Sequence, residues 1–341
     1  MGREFTAKIA PLQKILRLPF FYYLCDMETL IVHWNADPAI LHLGGFELRW
    51  YSLLFVSGFI LGWFIMKSFF NREKISEALL DPMLYMLLIC TIVGARLGHC
   101  LFYEPDYYLA PFVQMFGGTV SPQVAARGMT PWQAFFEIFM PWKGGLASHG
   151  GTIAIILGIW WYARKYGPAA GFDMMWLLDH LVIPISFAAC FIRLGNLFNS
   201  EIYGGPTSLP WGFVFERNHE TVACHPTQLY EAGTYLLLGI CLMWLYWKKL
   251  YKLYRGTFMG IFMIVCFGSR FFIEFIKNDQ VDFEASMALN MGQLLSIPFV
   301  LLGIGCLIYA YRKKDPACAV PPAPAAKPAK KETHYAHPTG K

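Results

Sequence analysis

Residues 191–205, FIRLGNLFNSEIYGG, set Arg193, Asn196, Asn199 and Glu201 at the end of the apolar run MMWLLDHLVIPISFAACFI (174–192). Each of these side chains is costly in hydrocarbon and cheap in a water-filled cavity. Arg193 and Asn196 are three residues apart and share a face of a helix. Arg270 and Glu274, in GSRFFIEFIKND, are four apart and can pair, which lowers the cost of a guanidinium at membrane depth. Arg96, in GARLGHCLFYEP, has no such local partner. Three arginines around one cavity suit an anionic ligand, because the guanidinium fork matches phosphate oxygens. His149 in KGGLASHGGT, His225, Gln228, Tyr230 and Glu231 in HPTQLYEA, and Tyr51 in RWY complete the set. Gly144-Gly145 and Gly150-Gly151 flank His149, Gly195 lies inside the first motif, and Gly204-Gly205 follow Glu201; such glycines let backbone approach a ligand or another helix closely. Singly, each signal also has a plain structural reading. Arg270–Glu274 can be an ion pair only, His149 a helix-end polar residue, and HPTQLYEA interfacial solvation behind a first-turn Pro226.

The elements that must position these residues follow from composition. The chain of 341 residues is 56% hydrophobic, 17% aromatic and 15% charged; a soluble domain carries about a quarter charged residues. The expected solvent is a bilayer, and spans of about 20 apolar residues are the pattern to seek. Seven occur, at 50–70, 83–103, 145–166, 174–198, 228–247, 257–277 and 291–311, and helices are the natural spanning element. No internal repeat is visible. The net charge of +5 is distributed topologically. Lys67, Arg72, Lys74, Arg164, Lys165, Lys248, Lys249, Lys252, Arg255, Arg312, Lys313 and Lys314 fall in alternate segments, whereas the opposite ones hold Arg49, Arg127, Lys143, Arg217 and Lys277. The positive-inside rule then places the N-terminus outside and the C-terminus in the cytoplasm, and argues against nucleic acid as a partner.

On that topology the unusual polar groups of six spans lie at one membrane depth, on the outer side; Asp179 and His180 are the main exception. The expected fold is therefore an all-α integral membrane protein whose seven transmembrane helices occupy residues 44–314, with a central polar cavity toward the periplasmic face. Residues 1–43 are expected outside, and residues 1–26 are too poor in apolar residues for a secretory signal. Their four positive charges, Arg3, Lys8, Lys14 and Arg17, strain the topology and suggest translation from Met27, which the intact mass of the native protein tests. Residues 315–341 are Pro-, Ala- and Lys-rich and read as a disordered cytoplasmic tail. Trp132, Phe135, Phe136 and Trp142 in the loop 104–143 read as an aromatic belt. The nine cysteines contain no C-x-x-C pair and read as small buried hydrophobes, with no disulfide framework and no metal site.

These motifs together resemble the prolipoprotein diacylglyceryl transferases of bacterial inner membranes, over residues 44–312. The most specific is R-x-G-N-x-x-N-x-E, standing here as Arg193, Gly195, Asn196, Asn199 and Glu201. RWY at 49–51, GARLG at 94–98, HGG at 149–151, HPTQLYE at 225–231 and RFFIEF at 270–275 follow the same order. The chain departs from the pattern at His99, where the family usually has Tyr, and at Ile276-Lys277-Asn278-Asp279, where it usually has Arg-x-Pro-Asp; the loop 104–143 is also long. The resemblance implies transfer of the diacylglyceryl group of phosphatidylglycerol to the lipobox cysteine thiol of a preprolipoprotein, giving a thioether and glycerol 1-phosphate, with no metal or nucleotide cofactor. It implies a catalytic set of His149, Arg193, Arg270, Glu201 and Glu274. Tyr51, Arg96, Asn196, Asn199, Gly195, His225, Gln228 and Tyr230 would bind substrate. Membrane lipids surround the protein, and the lipobox arrives on the periplasmic side.

The chemistry suits those residue types. Negative charge developing on a departing phosphate monoester needs fixed positive donors, the role expected of Arg193 and Arg270. Glu274 would orient Arg270, and Glu201 would orient Arg193. A thiol of ordinary pKa, about 8.5, needs a base, because the thiolate is the nucleophile. His149 suits proton transfer near neutrality; an arginine-bound phosphate or Glu201 could take the proton instead. Two other classes compete. A transporter of anionic solutes would want a midplane site and internal repeats. A phospholipid hydrolase would want a G-x-S-x-G or H-E-x-x-H motif, and neither is present.

Overall fold

The computed structural model describes residues 31–44, 46–277 and 289–319. The expected start at Met27, and residues 320–341 of the expected tail, lie outside the described residues.

Among the described residues, seven long helices form the bundle: α1 (Trp50–Glu73), α2 (Leu80–Phe102), α3 (Ser148–Ala170), α4 (Met174–Phe198), α5 (Thr227–Lys249), α6 (Thr257–Ile273) and α7 (Met291–Lys313). All except α3 are long and apolar enough to cross a bilayer. The polar Ser-His-Gly-Gly-Thr opening of α3 and its Arg164-Lys165 pair dilute its apolar middle. Helices suit apolar surroundings because each backbone N–H and C=O finds its partner within the segment. Their ends are closed locally. Asp173 accepts a bond from Trp176 N at 2.8 Å to start α4. Asn290 and Gln293 form a reciprocal capping box at the start of α7. Lys74 closes α1 in the left-handed conformation, its N–H reaching Asn71 O and Phe70 O.

Helix α4 is the hub. It packs most extensively on α1 and α5 and also touches α3 and α6; α2 pairs with α3, and α6 with α7. Small residues set the closest approaches. A Cβ on Gly150 would lie 2.6 Å from the Cα of Gly98, so α2 and α3 meet backbone to backbone there. The main apolar core surrounds the first half of α4, with Phe69, Phe70, Tyr162, Trp176, Leu177, Tyr246 and Phe258 fully buried.

Four short strands among the described residues, absent from the all-α expectation, cover the other end. Strand β1 (Val32–Trp34) runs parallel to β4 (Phe213–Phe215), and β2 (Ala39–Leu43) is antiparallel to β3 (Phe46–Arg49). The β1–β4 pair sits over the end of α4: Trp34 donates from Nε1 to Leu197 O at 3.0 Å, and its ring lies 5.6 Å from that of Phe198. At the far end of the chain, the first residues of the expected tail are packed. Arg255 N donates to Asp315 O, Ala317 N to Leu253 O and Ala319 N to a carboxylate oxygen of Glu73, and Ala317 is fully buried.

Candidate active site

The last turn of α4 and the segment after it build the site. Helix α4 ends at Phe198, and the chain turns sharply through Ser200 (φ 54°) and Ile202 (φ 61°), both left-handed. A β-branched residue in that region is a genuine outlier and persists only where its surroundings over-determine it. The surroundings are specific. Asn218 Nδ2 donates to Ser200 O at 2.6 Å, Gln228 Nε2 to Glu201 O at 2.7 Å, and Thr227 Oγ1 to Ile202 O at 2.8 Å. The turn folds Glu201 back over the helix end, where its Oε1 accepts from Asn196 Nδ2 at 2.7 Å and Asn199 Nδ2 at 3.1 Å. Their shared partner, a carboxylate oxygen, only accepts, so both amide nitrogens must face it. The amide oxygen of Asn196 accepts from Arg193 Nη1 at 3.2 Å. The amide oxygens of Asn199 and Gln228 are buried and have no partner among the described residues. Unsatisfied buried acceptors are few in folded proteins and mark places that want a donor.

From Arg193 a chain of ions crosses the bundle. Arg193 Nε lies 2.6 Å from Glu231 Oε2, on the first turns of α5. The other oxygen of Glu231 accepts from Lys277 Nζ at 2.9 Å. Lys277 Nζ also lies 3.4 Å from Glu274 Oε2, and the same oxygen is 4.0 Å from Arg270 Nε. The order is therefore Arg193, Glu231, Lys277, Glu274, Arg270, alternating in sign. The three inner members are buried, whereas the Arg270 side chain keeps 36% of its surface exposed. A buried ion is tolerated only when paired, and here every carboxylate touches two cations.

Arg193, Asn196, Asn199, Glu201, Gln228, Arg270 and Glu274 thus converge as the sequence suggested. Two details differ from expectation. The carboxylate against Arg193 is Glu231 on α5, and Glu201 reaches it only through the amide of Asn196. The Arg270–Glu274 pair is long because Lys277 shares the carboxylate. Gly195 serves packing: a Cβ there would lie 2.7 Å from Tyr51 Cδ2, so its absence lets the Tyr51 ring rest on α4. Tyr230 and His225 lie beside the chain's entry to α5, with the Tyr230 hydroxyl 3.3 Å from His225 Nδ1 and accepting from Trp211 Nε1 at 3.0 Å. His149 stands exposed in the first turn of α3, and no hydrogen bond or ion pair among the described residues joins it to the chain of ions.

Arg96 is held by backbone carbonyls. It is buried, and its guanidinium donates to the carbonyls of Glu137 (2.6 Å), Ile138 (3.2 Å), Gly144 and Gly145 (3.2 Å). Its plane also covers the Tyr108 ring. It clamps the loop 104–143 onto α2. Sequence reasoning included Glu231 in the polar set without giving it a role beside Arg193, and passed over Lys277 as a member of the centre. Their signal was present: each is a formal charge where the apolar pattern leaves little water, and the signs are opposite. Among the described residues, no three His, Cys, Asp or Glu side chains converge as ligands for a metal ion.

Fold and site together define a helical multi-pass membrane protein with a buried ion-pair chain at one end of its bundle. The family model described as prolipoprotein diacylglyceryl transferase matches residues 38–309. Among curated relatives, the phosphatidylglycerol--prolipoprotein diacylglyceryl transferase of Porphyromonas gingivalis is 44% identical over 295 residues, covering 82% of this chain and 95% of the relative. Proteins of the same name from Bacteroides fragilis and Tolumonas auensis are each 40% identical, over 84% and 83% of this chain and 98% and 99% of their own lengths. The chain belongs to the prolipoprotein diacylglyceryl transferase family.

Proposed function

We propose that this protein transfers the diacylglyceryl group of phosphatidylglycerol to the lipobox cysteine of prolipoproteins, in the bacterial inner membrane and from its periplasmic side. The observation that carries the reading is the ion-pair chain: two arginines from different helices stand at the ends of one buried network that holds more cations than carboxylates. In the reaction the thiolate sulfur forms a bond to the glycerol carbon of the lipid that bears the phosphate. The carbon–oxygen bond to phosphate breaks, its electron pair leaves with glycerol 1-phosphate, and the thiol proton passes to a base. The phosphodiester carries one negative charge and the departing monoester approaches two, so fixed cations stabilise the transition state more than the bound lipid.

Arg193 and Arg270 fill that role. Glu274 and Glu231 hold them, and Asn196 ties Arg193 to Glu201. The free amide oxygens of Asn199 and Gln228 suit the donor-bearing headgroup, and Tyr51 and Tyr230 border the same region. His149 is the proposed base, with Glu201 or the arginine-bound phosphate as the other acceptors. The reading includes seven spans, with α3 as the third, an N-terminus outside, and a polar cavity between the arginines that opens laterally so that neither substrate must leave the bilayer. Purified protein in phosphatidylglycerol vesicles, given a lipobox peptide and a chelator, is expected to form the thioether and release glycerol 1-phosphate. Absence of product, or product that appears only when a metal ion is restored, overturns the reading.

A further inference from the structure

Lys277 follows the last helical turn after α6, just past RFFIEF, where the chain departs from the family pattern, and its surroundings are unusual for a lysine. Its side chain keeps 2% of its surface, and its ammonium sits between two carboxylates that are themselves buried, Glu231 at 2.9 Å and Glu274 at 3.4 Å. The backbone is pinned as firmly. Lys277 forms an antiparallel bridge with Gly204, and Gly205 N donates to Ile276 O at 3.0 Å, so the segment after the Arg193 motif is stitched to the end of the Arg270 motif. A strongly hydrated ammonium is a poor choice for filling space. Its effect here is electrostatic. Without it, the described chain would hold two arginines and two carboxylates, and each carboxylate would neutralise its own arginine. With it, Glu231 gives one oxygen to Lys277 and one to Arg193, and Glu274 is drawn to 4.0 Å from Arg270.

The geometry points to Lys277 as a positioning residue that sets the charge of the phosphate site: by binding both carboxylates it leaves Arg193 and Arg270 with positive charge to offer the lipid phosphate. This rests on the transferase reading above. It acts through Glu231 and Glu274, and places no atom of Lys277 on the substrate. With Glu201, tied to Arg193 through Asn196, the site holds three cations and three carboxylates, so without Lys277 it would be net negative just as the leaving phosphate gains its second charge.

The test compares wild type, Lys277→Arg, Lys277→Met and the double variant Glu274→Gln/Lys277→Met in phosphatidylglycerol vesicles with a lipobox peptide. The readouts are kcat, KM for the lipid, and inhibition by glycerol 1-phosphate. Lys277→Arg keeps the charge and is expected to keep most of the turnover. Lys277→Met is expected to lose about a hundredfold in kcat/KM, with kcat falling more than KM rises, and to weaken inhibition by glycerol 1-phosphate about tenfold or more. The double variant removes one charge of each sign, restores the wild-type net charge of the site, and is expected to recover the inhibition. If Lys277→Met binds glycerol 1-phosphate as wild type does, or if the folded double variant binds it no better than the single one, the inference is overturned. Should Lys277→Met not fold, the arginine and double variants still decide it. Wild type without turnover would count against the transferase reading instead.

Discussion

Helix α4 carries a buried polar cluster near each end, His180 at one and Arg193 at the other, about 20 Å apart along the axis at 1.5 Å per residue. The two differ in how their valences are filled. Near the start of α4, the Glu73 carboxylate is surrounded by His180 Nε2 (2.6 Å) and Tyr246 OH (2.9 Å) at Oε1, and by Trp176 Nε1 (2.9 Å) and Ala319 N (2.6 Å) at Oε2. Asp179 accepts from Gly256 N at 2.6 Å and Met259 N at 2.8 Å, closing the start of α6 from a neighbouring helix. Every partner is a protein group, and Asp179, His180 and Trp176 have no exposed surface. Near the end of α4 three cations face three carboxylates, Glu201 included, Arg270 is half-open, two amide oxygens lack partners among the described residues, and the adjoining turn holds two left-handed residues. A polar network closed on itself specifies structure; one left incomplete in a strained frame marks a place for a ligand.

The comparison breaks most readily at Arg193. Arg193→Ala is expected to abolish thioether formation while the protein still inserts, because losing one preorganised donor to a developing oxyanion costs about 10²–10³ in kcat and here also leaves Glu231 with Lys277 alone. Turnover near wild type, measured on lipobox peptide in vesicles, would remove the functional half of the contrast. At the other end, Glu73→Gln replaces an acceptor that meets donors on both oxygens by a group that must turn an NH₂ toward two of them. The expected loss is about 3–5 kcal/mol of stability, the range for breaking a buried ionic network, with turnover per folded molecule unchanged. If the variant instead folds normally and turns over slowly, the first cluster is not merely structural.

His149→Gln sharpens the functional half with a smaller effect. The variant is expected to turn over more slowly while binding phosphatidylglycerol as before. Turnover equal to wild type would hand the role to Glu201 or to the bound phosphate.

How far the sequence could be read follows the range of the interactions. The seven long helices found among the described residues were legible to within four residues at each end, α1 expected at 50–70 and found at Trp50–Glu73, because apolar length and polar ends are local signals. The contact of Arg193 with Asn196 was legible for the same reason, since three residues on a helix fix a shared face. The partner of Arg193 was not. Glu201 is close in sequence and Glu231 close in space, and only the packing of α4 on α5 chooses between them. Strands of three residues such as β1 and β4, paired across most of the chain, show no periodicity to detect. The partners of Arg96 were not legible either, because the backbone carbonyls that it binds leave no trace in residue types.

The loop that Arg96 holds gives the finest test of the contrast, since it lies at the same end as the arginine chain yet resembles the Glu73 cluster in being closed. Its buried Glu137 pairs with Lys143, accepts from Tyr107 OH at 2.9 Å and lies 4.0 Å from Arg127. Burial alone pushes the Glu137 carboxyl up, but the Lys143 pair, the Tyr107 bond and the Arg127 charge outweigh it and hold it below the usual carboxylate range. A carboxyl depressed by folding adds stability above its unfolded pKa, and that stability is lost as pH falls through the folded value. Lys143 and Arg127 are half-exposed, so solvent screens the pairs and the contribution is expected to be at most about 1 kcal/mol. Hydrogen exchange of residues 104–143 should therefore speed up modestly, beyond its intrinsic pH dependence, when the protein is taken from pH 6 to below the ordinary carboxylate range of about 4. Glu137→Gln should remove that step and leave the Arg96 clamp in place. A loop whose protection in wild type ignores pH, or whose loosening also slows turnover in Glu137→Gln at neutral pH, would show that closure of the network does not by itself separate structure from function at this end of the bundle.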